Sequence, residues 1–567
     1  MCLSSYKKHI LDVNRIMRHV IVALIGTVTL FTVILSIVPP TDRDSLTHHL
    51  FIPKLYIQQG GIHEIPDIAF SYYPMNLELL YLIPLSFGND IIPKYIHFLF
   101  ALLTALLIYR FLKPRTSTNI ALFGSLLLLS TPIVVKLSTT AYVDLGLMFF
   151  STASLLLILR WLESDAKRHL ILAGICCGLA AGTKYNGIVS IIVLSLLLPI
   201  FSIHRQNRAP GSDRKALAAG CIFLLCALLT FSPWMVRNFI WTGNPIYPLH
   251  DTLFNSVTSH NTHSISEAAP SDSPSPTMNP FVFRRLAYQE PWWQTMLLPV
   301  RFFFEGRDDD PRYFDGKLNP FLLILPLLAF LYPPTTRQAR HKRQFLMAFS
   351  LLLFLFTFFQ QVPRIRYIIG VVPPLVLLSA YGLHQTLSAS AAGTSLKNHP
   401  ISRSLVAVCA IGALAYNLQY LSSQFTLIKP LTYITGKVSR EQYITSYRPE
   451  YPAIQFINQL QQPIKTLAIF LGNRGYYFDT PVVFDLQNNR STLLELTKHS
   501  ADGQHMYKAL TARQITHLII RFDLFEQYVQ QNLSPVETNR LSKFFQEHTR
   551  LVFSKNNHGV FLLQEPK

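Results

Sequence analysis

Long uncharged apolar runs recur along the chain, and they constrain its fold more than any other feature. A run of about 18 apolar residues is long enough to cross the hydrocarbon core of a bilayer as a helix. The runs therefore predict an α-helical polytopic membrane protein with about eleven transmembrane helices. A shorter apolar run at 76–87 is expected to form a helix at the membrane interface. The spans are expected at 20–38, 91–111, 119–135, 141–161, 169–182, 188–203, 216–233, 318–332, 344–361, 367–386 and 403–423.

The composition agrees with the apolar runs and excludes several classes of protein. Hydrophobic residues make up 50% of the 567 residues, and only 14% are charged, compared with about 25% in ordinary soluble domains. A soluble enzyme, a disordered chain and a coiled coil are therefore excluded. The net charge of +19 is explained by basic cytoplasmic loops, so that it implies no nucleic-acid partner.

The distribution of Lys and Arg between alternate loops predicts the orientation of the spans. With a cytoplasmic N-terminus, twenty of these residues lie in one set of loops and four lie in the short loops on the opposite side. Cytoplasmic loops of membrane proteins are enriched in Lys and Arg. We therefore expect a multi-pass protein of the cytoplasmic (inner) membrane, with 39–90, 234–317 and 430–567 outside the cytoplasm.

Four cations lie on the side where this rule disfavours them, namely Lys136, Lys184, Arg364 and Arg366. An anionic ligand at the outer membrane surface would explain such cations. The alternatives are contacts with lipid headgroups or ion pairs with acidic side chains. We expect one of these alternatives for Lys136 and an anionic ligand for the other three residues.

The region after the last predicted span has a different pattern. An apolar strand at 466–471 follows a helix at 450–462, a second strand lies at 481–485, and helical patterns at 491–513 precede an apolar stretch at 515–521. Helices at 523–531 and 535–548 and a hairpin of strands 550–554 and 559–563 follow. This alternation is typical of a small α/β domain. The chain is therefore expected to divide into a transmembrane domain over 1–429, with outer loops 39–90 and 234–317, and a C-terminal extracytoplasmic α/β domain over 430–567.

Two acidic residues directly follow the first predicted span. Acids beside a span are energetically costly, which makes Asp42 and Asp44 candidates for function. His48 lies one helical turn after Asp44, so both side chains can face one reacting group or one metal ion. The structural alternatives are a helix N-cap for Asp44 and a hydrogen-bonding role for His48.

A third acid, Asp144, lies about one turn inside the outer end of the fourth predicted span. The alternative to a catalytic role is an ion pair with Lys136, Lys184 or Arg366. Together, the predicted outer turns place one acid and three bases at one membrane depth. This layout can hold a phosphate at the lipid surface while a carboxylate activates a hydroxyl group.

An acidic run precedes the eighth predicted span. Asp308, Asp309 and Asp310, with Glu305 and Asp315 nearby, can bind a divalent cation or form a solvated loop. No other cofactor is indicated, and the sequence leaves the metal requirement open.

Several short motifs follow one another on the predicted outer side and extend over nearly all of residues 15–430. They are Asp44-Ser45-Leu46-Thr47-His48-His49-Leu50, Pro53-Lys54-Leu55-Tyr56, Gly60, Ser71-Tyr72-Tyr73-Pro74, Ala141-Tyr142-Val143-Asp144, Thr183-Lys184-Tyr185-Asn186-Gly187, Thr242-Gly243-Asn244-Pro245-Ile246-Tyr247-Pro248 and Arg364-Ile365-Arg366-Tyr367. In this order the motifs resemble bacterial integral-membrane glycosyltransferases of the GT-C superfamily. Similar families are the protein O-mannosyltransferases, the lipid A aminoarabinose transferases and envelope transferases of the dolichyl-phosphate-mannose type.

The resemblance implies a hexosyl or pentosyl transferase. Such an enzyme takes a sugar from a polyprenyl-phosphate donor and passes it to a lipid, glycan or protein acceptor outside the cytoplasmic membrane. The first-loop acid of these enzymes is the catalytic base, which corresponds to Asp44, with Asp42 as the alternative. Asp144 corresponds to a second active-site acid.

The resemblance also implies a site for the donor phosphate. Lys184 and Arg366 match positions that contact lipid phosphate in relatives, and Arg364 is expected beside them. Supporting roles are expected for His48, His49, Tyr73, Tyr185, Asn244, Tyr247 and Tyr367.

Other functions remain as alternatives. A lipid-linked glycan ligase or polymerase also works on a polyprenyl carrier outside the membrane, but it would not explain the first-loop acid or the C-terminal domain. A transporter or flippase would need ionisable groups near the bilayer midplane, and the centres of the predicted spans contain no Asp, Glu, Lys or Arg. A non-catalytic envelope assembly protein is the last alternative.

Overall fold

The chain forms two compact units in a computed structural model, which describes residues 2–205, 212–251, 254, 279–331, 336–389, 403–487 and 490–565. Unit 1 comprises Met1–Ser36, Tyr72–Leu80 and Ile92–Pro430. Unit 2 comprises Ile37–Ser71, Tyr81–Ile91 and Leu431–Lys567.

Helices account for most of unit 1 and part of unit 2. In chain order they are α1 (Cys2–Ser36), α2 (Phe51–Gln58), α3 (Asn76–Ser86), α4 (Ile92–Leu112), α5 (Thr118–Ser130), α6 (Pro132–Ser138), α7 (Asp144–Ser164), α8 (Lys167–Thr183), α9 (Asn186–Arg205), α10 (Ser212–Thr242), α11 (Pro280–Tyr288), α12 (Trp292–Met296), α13 (Leu298–Phe304), α14 (Phe321–Ile324), α15 (Leu328–Leu331), α16 (Arg337–Leu355), α17 (Val372–Ala389), α18 (Arg403–Ile428), α19 (Pro430–Ile434), α20 (Arg440–Tyr447), α21 (Tyr451–Asn458), α22 (Thr492–His499), α23 (Gly503–Ala512), α24 (Phe522–Asn532) and α25 (Pro535–His548). Short 3-10 or π-helical segments lie at Ser45–His49, Ala69–Tyr72, Pro311–Tyr313, Leu325–Leu327, Phe356–Phe359 and Ile365–Val371.

Unit 1 contains the helices that can cross a membrane. Among the described residues, eight helices are long and apolar enough to do so. Each overlaps a predicted span, which confirms the prediction of a polytopic helical membrane protein. The short helix predicted at 76–87 is present as α3. The spanning helices lie at Asp12–Ser36, Ile92–Leu112, Asp144–Ser164, Asn186–His204, Asp213–Thr242, Arg337–Phe359, Ile365–Ser388 and Ser404–Ile428.

The remaining predicted spans are not single long helices. Residues 119–135 form α5 and α6, which are bent by 61° at a break just before Pro132. Residues 169–182 form α8, a helix of 17 residues. Residues 318–332 are interrupted at Pro326 between α14 and α15. Proline has no backbone N–H to donate within a helix, which accounts for the breaks at Pro132 and Pro326. Helix α8 is unbroken and covers the whole predicted span 169–182.

Glycines of α8 allow this helix to pack closely in unit 1. A Cβ atom at Gly178 would overlap the backbone carbonyl group of Ala227 in α10, and one at Gly182 would overlap the Asn76 side chain. Small residues at four-residue spacing bring helix backbones together in membrane proteins. Backbone packing therefore fixes the end of α8, which is followed directly by Lys184.

Unit 2 contains a mixed β-sheet. Its order is β2-β1-β5-β7-β6, and β3 and β4 form a separate antiparallel pair. Strand β1 is parallel to β2 and β5, whereas β7 is antiparallel to β5 and β6. The sheet and its helices confirm the α/β pattern predicted after residue 430. The strands are β1 (Thr466–Ile469), β2 (Val482–Phe484), β3 (Leu486–Gln487), β4 (Arg490–Ser491), β5 (His517–Arg521), β6 (Thr549–Lys555) and β7 (His558–Leu563).

Apolar side chains cover both faces of the five-stranded sheet. Because side chains alternate along a strand, Leu467 and Ile469 of β1 join a core with α22, α23 and α25. Ala468 joins the opposite core with α21. That second core also contains Phe51 of α2, so the first loop packs with the C-terminal region. The sequence analysis assigned this loop to the transmembrane domain, because a contact between segments so far apart in the sequence leaves no local pattern.

Candidate functional site

The turn between α8 and α9 brings a lysine to a buried carboxylate in unit 1. Asp144 is the first residue of α7, and its side chain is fully buried. The Nζ atom of Lys184 lies 2.6 Å from its Oδ1 atom. The ion pair with Lys184, one of the alternatives for Asp144, is therefore present. The Oδ2 atom has no hydrogen-bond partner among the described residues, so this carboxylate retains an acceptor that a bound hydroxyl group can use.

His97 fixes the start of α7. Its Nε2 atom accepts a hydrogen bond of 2.9 Å from the backbone N–H of Leu145. Its Nδ1 atom lies 2.9 Å from the carbonyl oxygen of Leu137 and 3.0 Å from that of Thr140, so it donates to this turn. The ring thus connects α4, the turn after α6 and the residue that follows Asp144. This histidine was not identified from the sequence, because its partners are backbone groups.

The cations predicted to bind phosphate lie around the ring of Tyr367. The Nζ atom of Lys184 lies 5.3 Å from the ring centroid. The guanidinium carbons of Arg364 and Arg366 lie 5.7 Å and 5.4 Å from it. The side chain of Asn186 donates a 3.3 Å hydrogen bond to the Tyr367 carbonyl group, which connects the two turns. Unit 1 therefore brings the three predicted phosphate ligands together.

Asp315 is an anionic partner of both arginines. Its Oδ2 atom lies 3.4 Å from Arg364 and 3.8 Å from Arg366, and its Oδ1 atom lies 3.3 Å from Lys136. Burial favours the neutral acid, but the charges of Lys136, Arg366 and Arg364 lower the pKa of Asp315 below its usual value. The carboxylate therefore stays ionised at neutral pH. The sequence analysis considered this residue as part of a possible cation site and not as a partner of the arginines; it lies in the loop before α14.

Lys136 is surrounded by acids of the same loop. Its Nζ atom lies 3.7 Å from Asp308, 3.1 Å from Asp309 and 3.3 Å from Asp315. Of the two alternatives expected for Lys136, contact with lipid headgroups or ion pairs with acidic side chains, the ion pairs are present. The ammonium group of Lys136 therefore lies beside the acids that were considered as ligands of a divalent cation. In the part of the chain that the structure describes, no group of three or more His, Cys, Asp and Glu residues could hold a metal ion.

The predicted supporting residues of unit 1 brace its turns. The Tyr185 hydroxyl donates a 2.8 Å hydrogen bond to the Tyr247 carbonyl group and accepts one of 2.9 Å from Asn238. The ring of Tyr73 packs against that of Tyr185, with centroids 5.2 Å apart. Asn244 makes two side-chain hydrogen bonds of 3.0 Å to backbone groups of its own turn. The contacts of Tyr185 hold the residue that directly follows Lys184.

Glu78 is an acid of this site that the sequence analysis did not identify. It lies on α3 and is buried. Burial raises its pKa to about 8, although the nearby charges of Lys184 and Arg237 lower it, and Asp144 raises it further. Titration near neutral pH is typical of acids at functional sites. The signal in the sequence was a single acid within the apolar run 76–87.

The first-loop candidates belong to unit 2. Asp44 occupies the N-cap position of the Ser45–His49 turn, but its side chain makes no capping hydrogen bond there. The capping role proposed as an alternative is therefore absent. The Nδ1 atom of His48 lies 2.8 Å from the Thr47 hydroxyl, and its ring stacks on that of Phe70 at 4.2 Å. His49 is buried beside it, with ring centroids 4.0 Å apart.

The other first-loop acid, Asp42, lies close to α20. Its carbonyl oxygen accepts a 3.2 Å hydrogen bond from the N–H of Leu46. Burial raises the pKa of Tyr443, and the charges of Tyr447 and Asp42 raise it further. Asp42 and Asp44 both lie in the short segment that leads into the Ser45–His49 turn. Both are therefore kept as candidates for the base.

Comparisons with known proteins were made for the sequence and for the fold. Residues 85–236 match the family described as dolichyl-phosphate-mannose-protein mannosyltransferase. The search of curated proteins finds no match. ArnT from Cupriavidus metallidurans in the apo state has a similar structure, with a TM-score of 0.57 and 15% identity over 96% of this chain and 97% of that chain. The chain has the GT-C fold.

A second structure of the same relative agrees with this assignment. ArnT from Cupriavidus metallidurans bound to undecaprenyl phosphate has a TM-score of 0.52 and 15% identity, over 95% of this chain and 97% of that chain. The resemblance to the GT-C superfamily predicted from the motifs is thus confirmed for the fold. The family match over 85–236 includes Asp144 and Lys184.

Proposed function

We propose that this GT-C protein transfers a hexosyl or pentosyl group from a polyprenyl-phosphate donor. The acceptor is a lipid, glycan or protein on the outer side of the cytoplasmic membrane. The convergence of Lys184, Arg364 and Arg366 around the ring of Tyr367 is the observation that carries the proposal. The ArnT structure with undecaprenyl phosphate supports it, because a protein of the same fold binds a lipid of this class.

The cations of unit 1 would hold the donor phosphate and stabilise it as a leaving group. Negative charge develops on the phosphate oxygens as the sugar departs, and fixed cations lower the energy of that state. Guanidinium groups can contact two phosphate oxygens at once, whereas an ammonium group acts as a point charge. Arg364 and Arg366 therefore suit the phosphate oxygens, and Lys184 supplies a further charge beside Asp144.

A first-loop carboxylate would act as the general base. The acceptor oxygen forms a bond to the anomeric carbon, and the bond from that carbon to the phosphate oxygen breaks. The acceptor proton passes to the carboxylate, and polyprenyl phosphate leaves with the electron pair. General-base assistance of this kind contributes roughly 10²–10⁴ in rate. We assign the base to Asp44, with Asp42 as the alternative, by their match to the first-loop acid of similar enzymes.

Asp144 would act on the sugar side of the reaction. Its Oδ1 atom orients Lys184, and its Oδ2 atom is available to accept a hydrogen bond from a sugar hydroxyl. Both oxygens of Asp144 would then be engaged, one with Lys184 and one with the sugar. We therefore assign Asp144 a role in holding Lys184 and the sugar, and not the role of the base.

The deciding experiment measures donor binding and transfer by the purified protein in nanodiscs. We expect binding of undecaprenyl phosphate, and transfer of label from polyprenyl-phosphate sugars to acceptors in washed membranes. The Asp44→Asn variant should bind the lipid phosphate and lose transfer. Wild-type transfer in Asp44→Asn with loss in Asp42→Asn would move the base to Asp42.

The same assay distinguishes the alternative functions. Transfer only from lipid diphosphate donors would favour a lipid-linked glycan ligase or polymerase. Movement of a lipid-linked sugar between leaflets without transfer would favour a transporter or flippase. Absence of both lipid-phosphate binding and transfer would contradict the proposed function.

A further inference from the structure

A loop of the C-terminal region holds the segment that carries the candidate base. This clamp loop comprises Gly475–Asp479 and belongs to unit 2, as does the first-loop segment. The Nζ atom of Lys54 in α2 donates hydrogen bonds to the carbonyl oxygens of Tyr476 at 2.9 Å and Phe478 at 2.8 Å. It also forms an ion pair of 2.8 Å with Asp479. One ammonium group thus satisfies three acceptors of the clamp loop.

Further hydrogen bonds join the clamp loop to residues on both sides of the candidate acids. The backbone N–H of Tyr476 donates to the carbonyl oxygen of Leu46 at 3.1 Å. The hydroxyl of Tyr477 donates to the carbonyl oxygen of Pro40 at 2.7 Å. Asp42 and Asp44 lie between these two contact points in the sequence. The clamp loop therefore fixes the backbone before and after both carboxylates.

Apolar packing adds to these hydrogen bonds. Phe51 is 3% exposed and lies in the core beneath the clamp loop. A Cβ atom at Gly475 would overlap the ring of Phe51, so glycine is required for this close approach. The contact links the start of α2 to the C-terminal core.

We propose that the clamp loop is a positioning element for the catalytic carboxylate. The C-terminal α/β region would then act in transfer by holding the first loop. The proposal rests on the proposed function, since it takes the base from there. A displacement of about 1 Å in a catalytic group can reduce the rate about 100-fold. Lys54 and Gly475 are therefore positioning residues, and they are expected to affect turnover more than donor binding.

The test compares matched variants of the full chain. Lys54→Met removes the shared donor, and Lys54→Arg keeps a cation that can reach two carbonyl groups. Gly475→Ala introduces the overlap with Phe51. Gly61→Ala is the control, because a Cβ atom at Gly61 meets nothing within 4 Å.

The first measurement is amide hydrogen exchange in nanodiscs, which does not depend on enzymatic activity. We expect peptides covering 41–50 to exchange about tenfold faster in Lys54→Met and Gly475→Ala than in the wild type, with no change in Gly61→Ala. Peptides of β1 and β5 should keep their protection, because the sheet core is retained. Unchanged exchange at 41–50 in both clamp variants would overturn the proposal.

The second measurement separates kcat from donor binding. We expect Lys54→Met to lower kcat roughly 10–100-fold while the Kd for undecaprenyl phosphate stays within twofold, with partial recovery in Lys54→Arg. If the clamp variants exchange faster at 41–50 but the wild-type protein shows no transfer, the contact between the clamp loop and the first loop is supported and the proposed function is rejected. Should Lys54→Met also expose β1 and β5, Tyr477→Phe provides the test, since it removes only one hydroxyl contact. Wild-type exchange and kcat in Tyr477→Phe would then count against the proposal.

Discussion

The ammonium group of Lys184 lies 2.6 Å from the carboxylate of Asp144, which is 40 residues earlier in the chain. The pair joins the turn after α8 to the first turn of α7. Asp144 has no exposed side-chain surface, whereas 15% of the Lys184 side chain is exposed. The exposed part belongs to the cation, so an anionic ligand can approach Lys184 while Asp144 holds it from the buried side.

This asymmetry predicts how the two residues differ when they are replaced. Lys184→Met leaves a buried carboxylate without its cation, and breaking a buried pair in this way costs about 3–5 kcal/mol. Lys184→Met combined with Asp144→Asn should recover most of the lost thermal stability, because no buried charge remains. The double variant should still bind undecaprenyl phosphate weakly. Both quantities can be measured on purified protein in detergent.

Lys113→Met provides the control for this pair, since Lys113 is exposed. It should resemble the wild type in melting temperature and in lipid binding. A Lys184→Met variant as stable as the wild type would contradict the stabilising role assigned to this buried pair.

Asp315 is expected to limit the affinity for the donor phosphate. Its carboxylate neutralises part of the charge of Arg364 and Arg366, so a phosphate must compete with it. Asp315→Asn keeps the shape of the side chain and removes this competition. We expect affinity for undecaprenyl phosphate to rise roughly 3–10-fold at low salt, with a smaller gain at high salt because charges are screened. Equilibrium binding at two ionic strengths measures this effect.

Asp309→Asn is the matched control, because its side chain is 81% exposed and pairs with Lys136. The affinity of the Asp309→Asn variant for undecaprenyl phosphate should change little. Weaker binding in Asp315→Asn would show that the acid holds the arginines in place for the ligand and does not compete with it.

Local patterns explain which parts of the fold were predicted from the sequence. Apolar length gave the spanning helices, and alternation with a turn gave the hairpin of β6 and β7, where Asn556 and Asn557 adopt positive φ. Both signals extend over neighbouring residues. The bend before Pro132 shows the limit of such signals, because an apolar run does not show whether a proline within it will break the helix.

The ion pair of Asp144 with Lys184 was among the alternatives drawn from the sequence, whereas the acidic partner of the two arginines was not. The motifs identified Arg364 and Arg366, but their partner Asp315 lies about 50 residues earlier in an acidic loop that was considered for a metal ion. The cation found beside that loop is Lys136, which lies on α6. Such pairings depend on the tertiary packing of helices that are distant in sequence, and a single sequence does not encode them as a local pattern.

The orientation of the spans is testable with reporter fusions. Twenty Lys and Arg residues lie in the loops predicted to be cytoplasmic, compared with four in the short loops on the other side. A reporter that is active only outside the cytoplasm should therefore be active after residue 430 and silent after residue 340. The opposite pattern would place Lys184 and Arg366 in the cytoplasm and contradict an extracytoplasmic transfer site.

A buried ion cluster predicts an acid-sensitive step in the loop between α11 and α12. Glu290 accepts hydrogen bonds from Arg284 at 2.7 Å and 2.8 Å and from Arg301 at 3.0 Å. Burial favours the neutral acid, but hydrogen bonds and charges from Arg301 and Arg284 lower the pKa of Glu290 to about 2. A carboxyl group with a lowered pKa in the folded state stabilises that state above its unfolded pKa of 4.5. This contribution, on the order of 3 kcal/mol, is lost progressively as the pH falls from about 4.5 to about 2.

The fluorescence of Trp292 and Trp293 can report this loss, because both lie on α12 directly after Glu290 and are 71% and 49% exposed. We expect their emission to change between pH 4.5 and 2, the interval that separates the two pKa values of Glu290. In Glu290→Gln no proton is taken up at this position, so the change over that interval should disappear. The loop of this variant should already be less stable at pH 7, because the neutral amide leaves Arg284 buried without the carboxylate of Glu290. If Glu290→Gln showed the same acid transition as the wild type, the transition would belong to other carboxylates and Glu290 would not control the loop.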